Sequence, residues 1–586
     1  TPPAFANNTV FVPVINWPMS FLGTTGLGPE GGFETASGAM IALDAATGEI
    51  KWETEVPTFF CAGATVANDV VFGAGLENVG RDGQSVPLPL REPADNEVMV
   101  RVDALGLCLS DMKIIALGGN HPRLRGRDLA NDPTVLGHEC ACTVVKAGKQ
   151  WADRFQPGQR FIVQADIYYK GVNDAFGYMI PGGLAEYAYV DERVLDGDEG
   201  CYLLPVQDAT GYSQAALAEP WACVEMSYDL TERLEPTGAA QLIVSDAPGA
   251  LKAQLPNARV AGTDLAGLAE ADTFDDIVLE GATPALVEAL GKRLNPKGNL
   301  YLLGAPKEDG KAPLDVGGIH YQAKRILGGG ATLAEVAAAN ARNDLLPGGT
   351  SLFIGAGGPM GQMHVQRAIE KADGSKTVVV TDLDRGRLNH IVARFGDLAA
   401  RRGVELVTLS PADFASQDEM NAKIVELGGP EGYSDVVVLA PVPGLASFAV
   451  DLAAPRGFVN VFAGLAVGTV APLAVSKLCQ GVKVIGCSGS RISDLRKVLA
   501  LAEAGELDTN RSVAAIGGLN AAHHGLKAVK EAKYPGKTVI YTQIPELPLM
   551  SLEEVKEKLP GVGAKLSPEG GWTVAAETAL LEKFAQ

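Results

Sequence analysis

Residues 349–384 constrain the fold of this 586-residue chain more than any other stretch. They begin with the apolar run Thr350-Ser-Leu-Phe-Ile, which is long enough for a buried strand, and continue into the turn Gly355-Ala-Gly-Gly-Pro-Met-Gly. A helical pattern over residues 359–372 and a second apolar run over residues 376–381 follow, and this run ends in Asp382. Strand, glycines, helix, strand and acid occur in this order in a parallel βαβ unit, so we predict an α/β protein.

The glycine-rich turn predicts a dinucleotide site, although it is not a plain Gly-x-Gly-x-x-Gly. If Gly361 closes the motif, Ala356 stands where the first glycine belongs and Gly358 is the second. With one extra residue, Gly355 and Gly357 keep their places. Either register leaves a glycine where backbone must approach a pyrophosphate at a helix N-terminus. The residues predicted to bind cofactor here are Gly355, Gly357, Gly358, Met360 and Gly361.

Asp382 would accept hydrogen bonds from the ribose hydroxyls of the cofactor, which favours NAD over NADP. Arg385 and Arg387 follow closely in the sequence and could hold a 2′-phosphate instead. We expect NAD.

An internal repeat relates residues 274–305 to residues 159 positions later in the chain. The matched pairs include Asp276 with Asp435, Pro284 with Pro443, and Gly298 with Gly457. Residues 236–335 are therefore predicted to contain a second copy of the later half of a dinucleotide-binding unit. The corresponding turn, Val244-Ser-Asp-Ala-Pro-Gly, lacks the glycines of a phosphate loop, so we interpret this copy as structural, at an oligomer interface, and not as a second cofactor site.

Residues 107–139 contain the side-chain types that bind zinc. A catalytic zinc typically has three protein ligands and one open position. Cys108 offers a thiolate and His138 an imidazole, and we predict Glu219 as the third ligand. Asp111 could orient the ligand histidine, and Ser110 could pass a proton from the substrate to solvent.

Composition excludes several classes of partner. The net charge of −21 and the pI of about 4.9 argue against nucleic acid and anionic membranes. No apolar run has transmembrane length, and no charged-then-apolar signal segment opens the chain. The eight cysteines are scattered, as in a protein of a reducing compartment, so we expect a cytoplasmic protein.

Residues 1–76 have a β character of their own. The segment Ala42-Leu-Asp-Ala-Ala-Thr-Gly-Glu followed by Trp52 predicts a hairpin, and residues 67–73 predict a further turn and strand. This stretch resembles the blade repeat of quinoprotein (PQQ) dehydrogenase propellers. Because a propeller needs several blades to bury its sheets, we interpret it as an appended β segment without quinone chemistry.

Residues 90–545 resemble the zinc-dependent medium-chain alcohol and polyol dehydrogenases. The matching motifs are Gly106-Leu-Cys-Leu-Ser-Asp, Gly137-His-Glu, Gly183-Leu-Ala-Glu-Tyr and Ala218-Glu-Pro. Glutamate instead of cysteine in the last motif is the sorbitol-dehydrogenase-like variant. The motifs Asn131-Asp-Pro-Thr-Val-Leu-Gly-His-Glu and Tyr534-Pro-Gly-Lys-Thr-Val-Ile-Tyr-Thr look most like the L-sorbose-1-phosphate reductase branch.

The resemblance implies hydride transfer between NAD(P)(H) and an alcohol, polyol or ketose, including a sugar phosphate, in a homo-oligomer (dimer or tetramer). Cys108, His138 and Glu219 would bind the catalytic zinc, and Glu139 would be a second-shell or exchanging ligand. Ala440, Ala463 and Gly464 would lie along the nicotinamide. The four-cysteine structural zinc lobe of many relatives is absent from the sequence, so we predict one zinc per chain, with Cys140 and Cys142 as strand residues.

The predicted organisation has five parts. They are a quinoprotein-blade-like β-hairpin segment (1–76), a β-rich GroES-like catalytic domain (77–235), an inserted degenerate half-Rossmann unit (236–345), a Rossmann dinucleotide-binding domain (346–500), and a return to the catalytic domain with a C-terminal tail (501–586).

Two other functions compete with that of a zinc-dependent dehydrogenase. A quinoprotein-type enzyme is disfavoured by the small size of residues 1–76. A non-catalytic assembly protein that keeps the fold would bind neither zinc nor nucleotide. A basic cluster, formed by Arg123, Arg125 and Arg127 with Lys113 and His121 nearby, could receive a substrate phosphate, but a solvated loop is the favoured interpretation.

Overall fold

The computed structural model describes residues 4–6, 8–16, 19–21, 27–29, 37–56, 60–67, 70–75, 90–129, 132–229 and 233–584. Asn131 of the Asn-Asp-Pro motif lies outside the described residues. So do residues 68 and 69 of the turn predicted near Ala67. Within these ranges no helix is both long and apolar enough to cross a membrane.

The N-terminal segment is β-structured, as predicted. Its strands are β1 (Ala4–Ala6), β2 (Thr9–Asn16), β3 (Met19–Phe21), β4 (Leu27–Pro29), β5 (Ser37–Asp44), β6 (Ile50–Val56), β7 (Phe60–Ala67) and β8 (Val70–Gly75). The predicted hairpin is the antiparallel pair β5–β6. Asp44 accepts hydrogen bonds from the backbone N–H groups of Ala46 (2.9 Å) and Thr47 (3.1 Å), which shapes the turn.

The next part contains most strands of a mixed, mainly antiparallel sheet. Its elements are β9 (Val98–Gly106), α1 (Leu109–Leu117), β10 (Glu139–Ala147), β11 (Arg160–Val163), β12 (Tyr168–Tyr169), β13 (Val172–Asn173), β14 (Tyr187–Val190), α2 (Glu192–Leu195), β15 (Leu203–Pro205), α3 (Tyr212–Ala216) and α4 (Ala218–Met226). Short 3₁₀ turns at Gly118–Asn120 and Pro122–Leu124 follow α1. Cys140 and Cys142 are buried on β10, as predicted for strand residues.

The inserted unit is a parallel sheet with short helices. Its elements are β16 (Gln241–Val244), α5 (Gly249–Gln254), β17 (Arg259–Ala261), β18 (Phe274–Glu280), α6 (Pro284–Gly291), β19 (Leu294–Leu303), β20 (Lys311–Asp315), α7 (Val316–Gln322), β21 (Arg325–Gly330) and α8 (Leu333–Ala339). The strand order is β17-β16-β18-β19-β21. Besides the strands that correspond to the repeat, this sheet contains β16 and β17, so it is larger than the predicted half unit.

The cofactor unit has six parallel strands in the order β24-β23-β22-β25-β26-β28, the doubly wound order of dinucleotide-binding folds. Its elements are β22 (Thr350–Ile354), α9 (Pro359–Glu370), β23 (Thr377–Thr381), α10 (Arg385–Arg402), β24 (Glu405–Leu409), a 3₁₀ turn (Pro411–Asp413), α11 (Gln417–Gly428), β25 (Tyr433–Val438), α12 (Pro443–Leu452), β26 (Ala453–Val461), β27 (Val470–Ala474), α13 (Val475–Cys479) and β28 (Lys483–Ile485). The predicted βαβ unit is β22-α9-β23.

The C-terminal part returns to this mixed sheet and adds a parallel pair of strands to it. Its elements are α14 (Ile492–Glu503), 3₁₀ turns at Thr509–Ser512 and Leu519–Ala521, β29 (Val513–Gly518), α15 (Ala522–Lys530), β30 (Lys537–Tyr541), β31 (Met550–Ser551), α16 (Leu552–Lys558), α17 (Pro560–Gly563) and α18 (Val574–Phe584). The sheet order is β15-β11-β10-β9-β30-β29-β31, and β14 pairs with β9. β9 therefore pairs with β30, a strand more than 400 residues later in the chain.

A local two-fold axis relates the inserted unit to the cofactor unit. Strands β20 and β27 pair antiparallel, with Pro313 opposite Pro472, its own counterpart 159 positions later. Val316 donates its N–H to the carbonyl of Thr469, and Val475 donates to the carbonyl of Gly310, both at 2.9 Å. The second bond repeats the first with the two units exchanged, as a two-fold axis requires.

The two units also share one apolar core. Buried side chains of the inserted unit, such as Leu314 and Ile319, belong to the same hydrophobic cluster as Leu473 and Leu478 of the cofactor unit. Burial of apolar surface contributes roughly 25 cal/mol per Å². The inserted unit is thus packed permanently against the cofactor unit.

A buried ionic network joins helix α9 of the cofactor unit to helix α4 of the catalytic part. The Arg367 guanidinium donates to Glu225 at 2.6 Å and to Asp344 at 2.7 Å. Lys497 adds a 3.0 Å ion pair to Glu225. Because α4 also carries Glu219, this network helps to hold a predicted metal ligand in place.

Replacing Arg367 by methionine is expected to destabilise the protein by about 3 kcal/mol, because Glu225 would remain buried without its main partner. Urea unfolding followed by circular dichroism measures this change. The matched control is Arg259→Met, which removes an exposed ion pair with Asp272 and should cost less than about 1 kcal/mol. Equal effects of both substitutions would contradict the role given to Arg367.

Candidate active site

The pairing of β9 with β10 brings the predicted zinc ligands together. In the register of these strands Glu139, at the start of β10, lies opposite Gly106, at the end of β9. Cys108 comes two residues after Gly106 and begins α1 as its N-cap residue. The sheet therefore places Cys108 beside His138 and Glu139, although the three residues come from two separate motifs.

Ligand atoms of Cys108, His138 and Glu139 all lie within 4.8 Å of one another. His138 and Glu139 are buried, while Cys108 is half-buried. Thiolate, imidazole and carboxylate are the donors that zinc prefers. This group of three is the metal-binding candidate that the described residues contain.

Asp111 holds the two ligand-bearing segments in place. Its carboxylate accepts the N–H of Cys108 at 3.0 Å and the N–H of Gly137 at 3.3 Å. It also lies 3.5 Å from Nδ1 of His138. Asp111 is fully buried, so its charge depends on these contacts.

The neighbours of His138 raise its pKa. Burial opposes the charged form most strongly, but the nearby side chains of Asp111 and Cys108 outweigh burial and raise the pKa of His138 well above its usual value. A bound cation would take the place of this proton, because metal ligands must be deprotonated.

Glu219 is buried on α4 but is not in the group within 4.8 Å. Burial raises the pKa of Glu219 to about 7. The charge of His138 lowers this pKa, and the nearby carboxylates of Glu139 and Asp166 raise it further. The structure thus brings Glu219 within electrostatic range of the predicted site and places Glu139 closer to Cys108 and His138. The choice of Glu219 as third ligand stays a prediction.

Lys537 is a site residue that the sequence analysis missed. Its ammonium forms a buried ion pair with Glu139 and donates to the carbonyl of Leu107 at 3.2 Å. Burial opposes its charge, but Glu139 and Cys108 outweigh burial and raise the pKa of Lys537. The available signal was a lysine at the start of an otherwise apolar strand, Lys537-Thr-Val-Ile-Tyr.

Two polar side chains lie beside His138. The hydroxyl of Ser110 is 3.3 Å from Nε2 of His138. Tyr178, a second residue that the sequence analysis missed, lies near Ser110, and burial raises the pKa of Tyr178. The ring of Tyr178 lies 5.9 Å from the His138 ring and 5.4 Å from the His121 ring.

The predicted basic cluster is largely neutralised by carboxylates. Arg123 pairs with Asp166 at 2.9 Å, Arg125 with Asp174, and Arg127 with Asp132 at 2.8 Å. This arrangement favours the structural interpretation of the three arginines. Lys113, on helix α1, is exposed.

The residues present fit a bound cation. Nδ1 of His138 and Oε2 of Glu139 are buried and have no hydrogen-bond partner among the described residues. The 3.5 Å contact of Nδ1 with Asp111 is too long to count as a hydrogen bond. Unsatisfied buried polar atoms are costly, and a metal ion would satisfy a donor set of this kind.

The glycine loop has one residue more than Gly-x-Gly-x-x-Gly. Gly355 makes the turn, with φ of +73°, and a Cβ on Gly361 would lie 2.4 Å from the Cα of Ala356. Gly358 is the N-cap of α9, and a Cβ there would have open space around it. Gly358 is thus where a pyrophosphate can approach the helix N-terminus, and Met360 is partly buried in the first turn.

Asp382 is hydrogen-bonded to the backbone of the glycine loop. Its carboxylate accepts the N–H of Gly357 at 2.8 Å and the N–H of Asp384 at 2.9 Å. Arg385 is engaged by Asp413 at 3.0 Å. Arg387 also has an anionic neighbour, Asp384, at 3.6 Å, so both basic residues weighed for a 2′-phosphate lie beside a carboxylate.

The residues expected along the nicotinamide lie after β25 and β26. Ala440 faces the loop, since its Cβ would be 2.8 Å from a Cβ on Gly355. Ala463 donates its N–H to the carbonyl of Val438 at 3.0 Å. Gly464 lies close to Lys113 of helix α1. The carboxyl ends of these parallel strands are where ligands bind in such sheets.

Known proteins resemble this chain over most of its length. The family of the alcohol dehydrogenase GroES-like domain matches residues 94–196. The L-sorbose 1-phosphate reductase of Klebsiella pneumoniae is 24% identical over 492 residues, covering 83% of this chain and 92% of the relative. The mannitol-1-phosphate 5-dehydrogenase of Aliivibrio fischeri (strain ATCC 700601 / ES114) is 23% identical over 503 residues, which cover 83% of this chain and 92% of the relative. An uncharacterised Escherichia coli (strain K12) protein, YggP, is 25% identical over 515 residues, which cover 86% of this chain and 95% of the relative.

Substitution of the predicted ligands is expected to reduce metal content. Purified wild-type protein should contain about one zinc ion per chain, and Cys108→Ser and Glu219→Gln should each lower this value strongly, because losing one of three ligands weakens binding. Inductively coupled plasma mass spectrometry provides the measurement. Cys142→Ala, a buried strand residue, is the matched control. Full zinc retention in Glu219→Gln, with loss in Glu139→Gln, would assign the third ligand to Glu139.

Proposed function

We propose that the chain is a zinc-dependent medium-chain alcohol or polyol dehydrogenase and that it transfers hydride between a nicotinamide cofactor and a polyol or ketose. Phosphorylated sugars are included in this substrate class, as the names of two relatives suggest. The observation that carries the proposal is the close group of Cys108, His138 and Glu139, with Gly464 of the cofactor unit near helix α1.

Cys108 and His138 would hold the zinc, with Glu219 as the third ligand and Glu139 as a neighbouring or exchanging ligand. When bound, zinc supplies a Lewis acid that lowers the pKa of a substrate hydroxyl. Asp111 keeps His138 oriented through the contacts described above. Lys537 balances the buried charge of Glu139.

Ser110 is the first group of a proton path away from the substrate. Its hydroxyl lies beside His138 and near Tyr178, whose ring centroid is 5.4 Å from that of His121. A hydroxyl at this place can accept a substrate proton as it gives up its own to the next group. Ser110, Tyr178 and His121 therefore connect the buried site with the half-buried surface at His121.

We favour NAD(H) over NADP(H). Asp382 stands at the end of the second strand of the cofactor unit, where it would accept the ribose hydroxyls, and its negative charge would repel a 2′-phosphate. Arg385 would have to leave Asp413 before it could bind that phosphate.

The homo-oligomer remains part of the proposal. Inside one chain, the strand β27 of the cofactor unit is already paired with β20 of the inserted unit. A contact between subunits would therefore use another surface of the molecule. Light scattering coupled to gel filtration distinguishes a dimer or tetramer from a single chain.

The proposed activity is tested by following NADH and NADPH oxidation at 340 nm with a panel of ketoses and ketose phosphates, and the reverse reaction with polyols. We expect NADH-dependent turnover that falls at least about a hundredfold in Cys108→Ser, since the metal provides several kcal/mol of transition-state stabilisation. A zinc-free wild-type protein that turns over no member of the panel and binds neither nucleotide would instead support a non-catalytic assembly protein.

Cofactor preference is tested with two further substitutions. Asp382→Ala should raise the KM for NADH by about tenfold or more, because the ribose loses a charged hydrogen-bond acceptor. Asp413→Asn should improve the use of NADPH, because Arg385 becomes available to the 2′-phosphate. A wild-type preference for NADPH, unchanged by Asp413→Asn, would contradict the assignment of NAD.

A further inference from the structure

The inserted unit reaches the ligand-binding edge of the cofactor unit. The two-fold pairing of β20 with β27 puts helix α7 of the inserted unit directly against the loop that follows β26. A Cβ on Gly317 of α7 would lie 1.9 Å from the carbonyl oxygen of Ala466, so only glycine allows this approach. His320, further along α7, lies within 3.1 Å of the carbonyl of Val461 through its Nδ1.

The end of α7 brings a tyrosine close to Gly464 of the cofactor unit. A Cβ on Gly464 would lie 2.7 Å from the hydroxyl of Tyr321 and 3.6 Å from the ammonium of Lys113. Two hydrogen-bond donors from different parts of the chain thus converge on one point. That point lies at the carboxyl ends of the parallel strands, beside the helix that begins at Cys108.

Both donors are available to a ligand. Among the described residues, neither the Tyr321 hydroxyl nor the Lys113 ammonium takes part in a hydrogen bond or ion pair. Tyr321 is 45% exposed, which is high for a tyrosine between two packed units. The charge of Lys113 contributes to lowering the pKa of His121 and of His320, after the larger effect of burial, so Lys113 lies near both rings.

We propose that Tyr321 of the inserted unit and Lys113 of α1 together bind the end of the substrate that is remote from the reacting carbon. Lys113 is five residues beyond Cys108, or about 7.5 Å along the helix axis. A substrate whose reacting carbon lies at the metal site would therefore present its far end to this pair. The inserted unit then contributes directly to substrate specificity.

The chemistry of the pair fits an oxygen-rich end group. The ammonium and the phenol hydroxyl can both donate to a hydroxyl, a carbonyl or an oxyanion. An oxyanion such as a phosphate would gain a charge-assisted hydrogen bond from Lys113. Arg123 is less suited to this role, because Asp166 already neutralises it.

This inference rests on the proposed function and is tested on the full-length enzyme. Tyr321→Phe should raise the KM for the best ketose or polyol about 3- to 10-fold, and Lys113→Met about 10-fold or more, with kcat changed less than about twofold. The dissociation constant of NADH, measured by fluorescence without substrate, should stay the same, because neither side chain is assigned to the cofactor. Lys113→Arg should recover most of the affinity.

Two matched controls exclude general surface effects. Tyr189→Phe removes a tyrosine hydroxyl from the catalytic part, where it bonds the carbonyl of Arg91. Lys292→Met removes an exposed lysine from the inserted unit. Both should leave KM and kcat unchanged.

The outcomes separate this inference from the function on which it rests. A wild-type protein that is inactive with the whole panel would overturn both. An active wild type whose KM is unchanged in Tyr321→Phe and Lys113→Met would overturn only the inference. Weaker NADH binding in these variants would also overturn it, since the pair would then bind the cofactor. A Lys113→Met effect that is larger for a ketose phosphate than for its free sugar would identify an anionic end group.

Discussion

Four charged side chains, Asp111, Glu139, Glu219 and Lys537, are buried together around the metal-site residues. Burying charges is expensive, and it is tolerated only when partners are fixed in good geometry. These partners come from α1, β10, α4 and β30, which belong to widely separated parts of the chain. The pairing of Glu139 with Lys537 therefore ties the catalytic sheet to the C-terminal return, and the Arg367–Glu225 pair holds the helix that carries Glu219.

The second organising feature is the two-fold pairing of a functional unit with a reduced copy of itself. The copy has kept the strands that make the interface, β18 to β21, and has lost the glycine loop and the outer strand. These strands pack against the cofactor unit. Helix α7 of the copy lies against the loop that follows β26 of the other unit.

Local sequence patterns predicted much of this structure. The strand–glycine–helix–strand unit, the repeat and the hairpin at Asp44 are determined by residues close together in the chain, whose spacing reflects local geometry. The strand Arg259–Ala261 was missed because three residues are too few to show a period. Lys537 was missed because its role depends on Glu139, 398 residues earlier. The group of Cys108, His138 and Glu139 was predictable by residue type. That Glu139 lies closer than Glu219 to Cys108 and His138 follows from the strand register, which the sequence does not show.

The two-fold pair within one chain has a further consequence. Two identical subunits around such an axis would carry two equivalent sites, and ligand binding at one could influence the other. Here only one half keeps the glycine loop, and the Cys108–His138 centre occurs once. The pair therefore has no second equivalent site to which a ligand could be coupled. Within one chain, saturation should follow a simple single-site curve, and the inserted unit cannot dissociate on dilution because it is covalently joined to the unit it packs against.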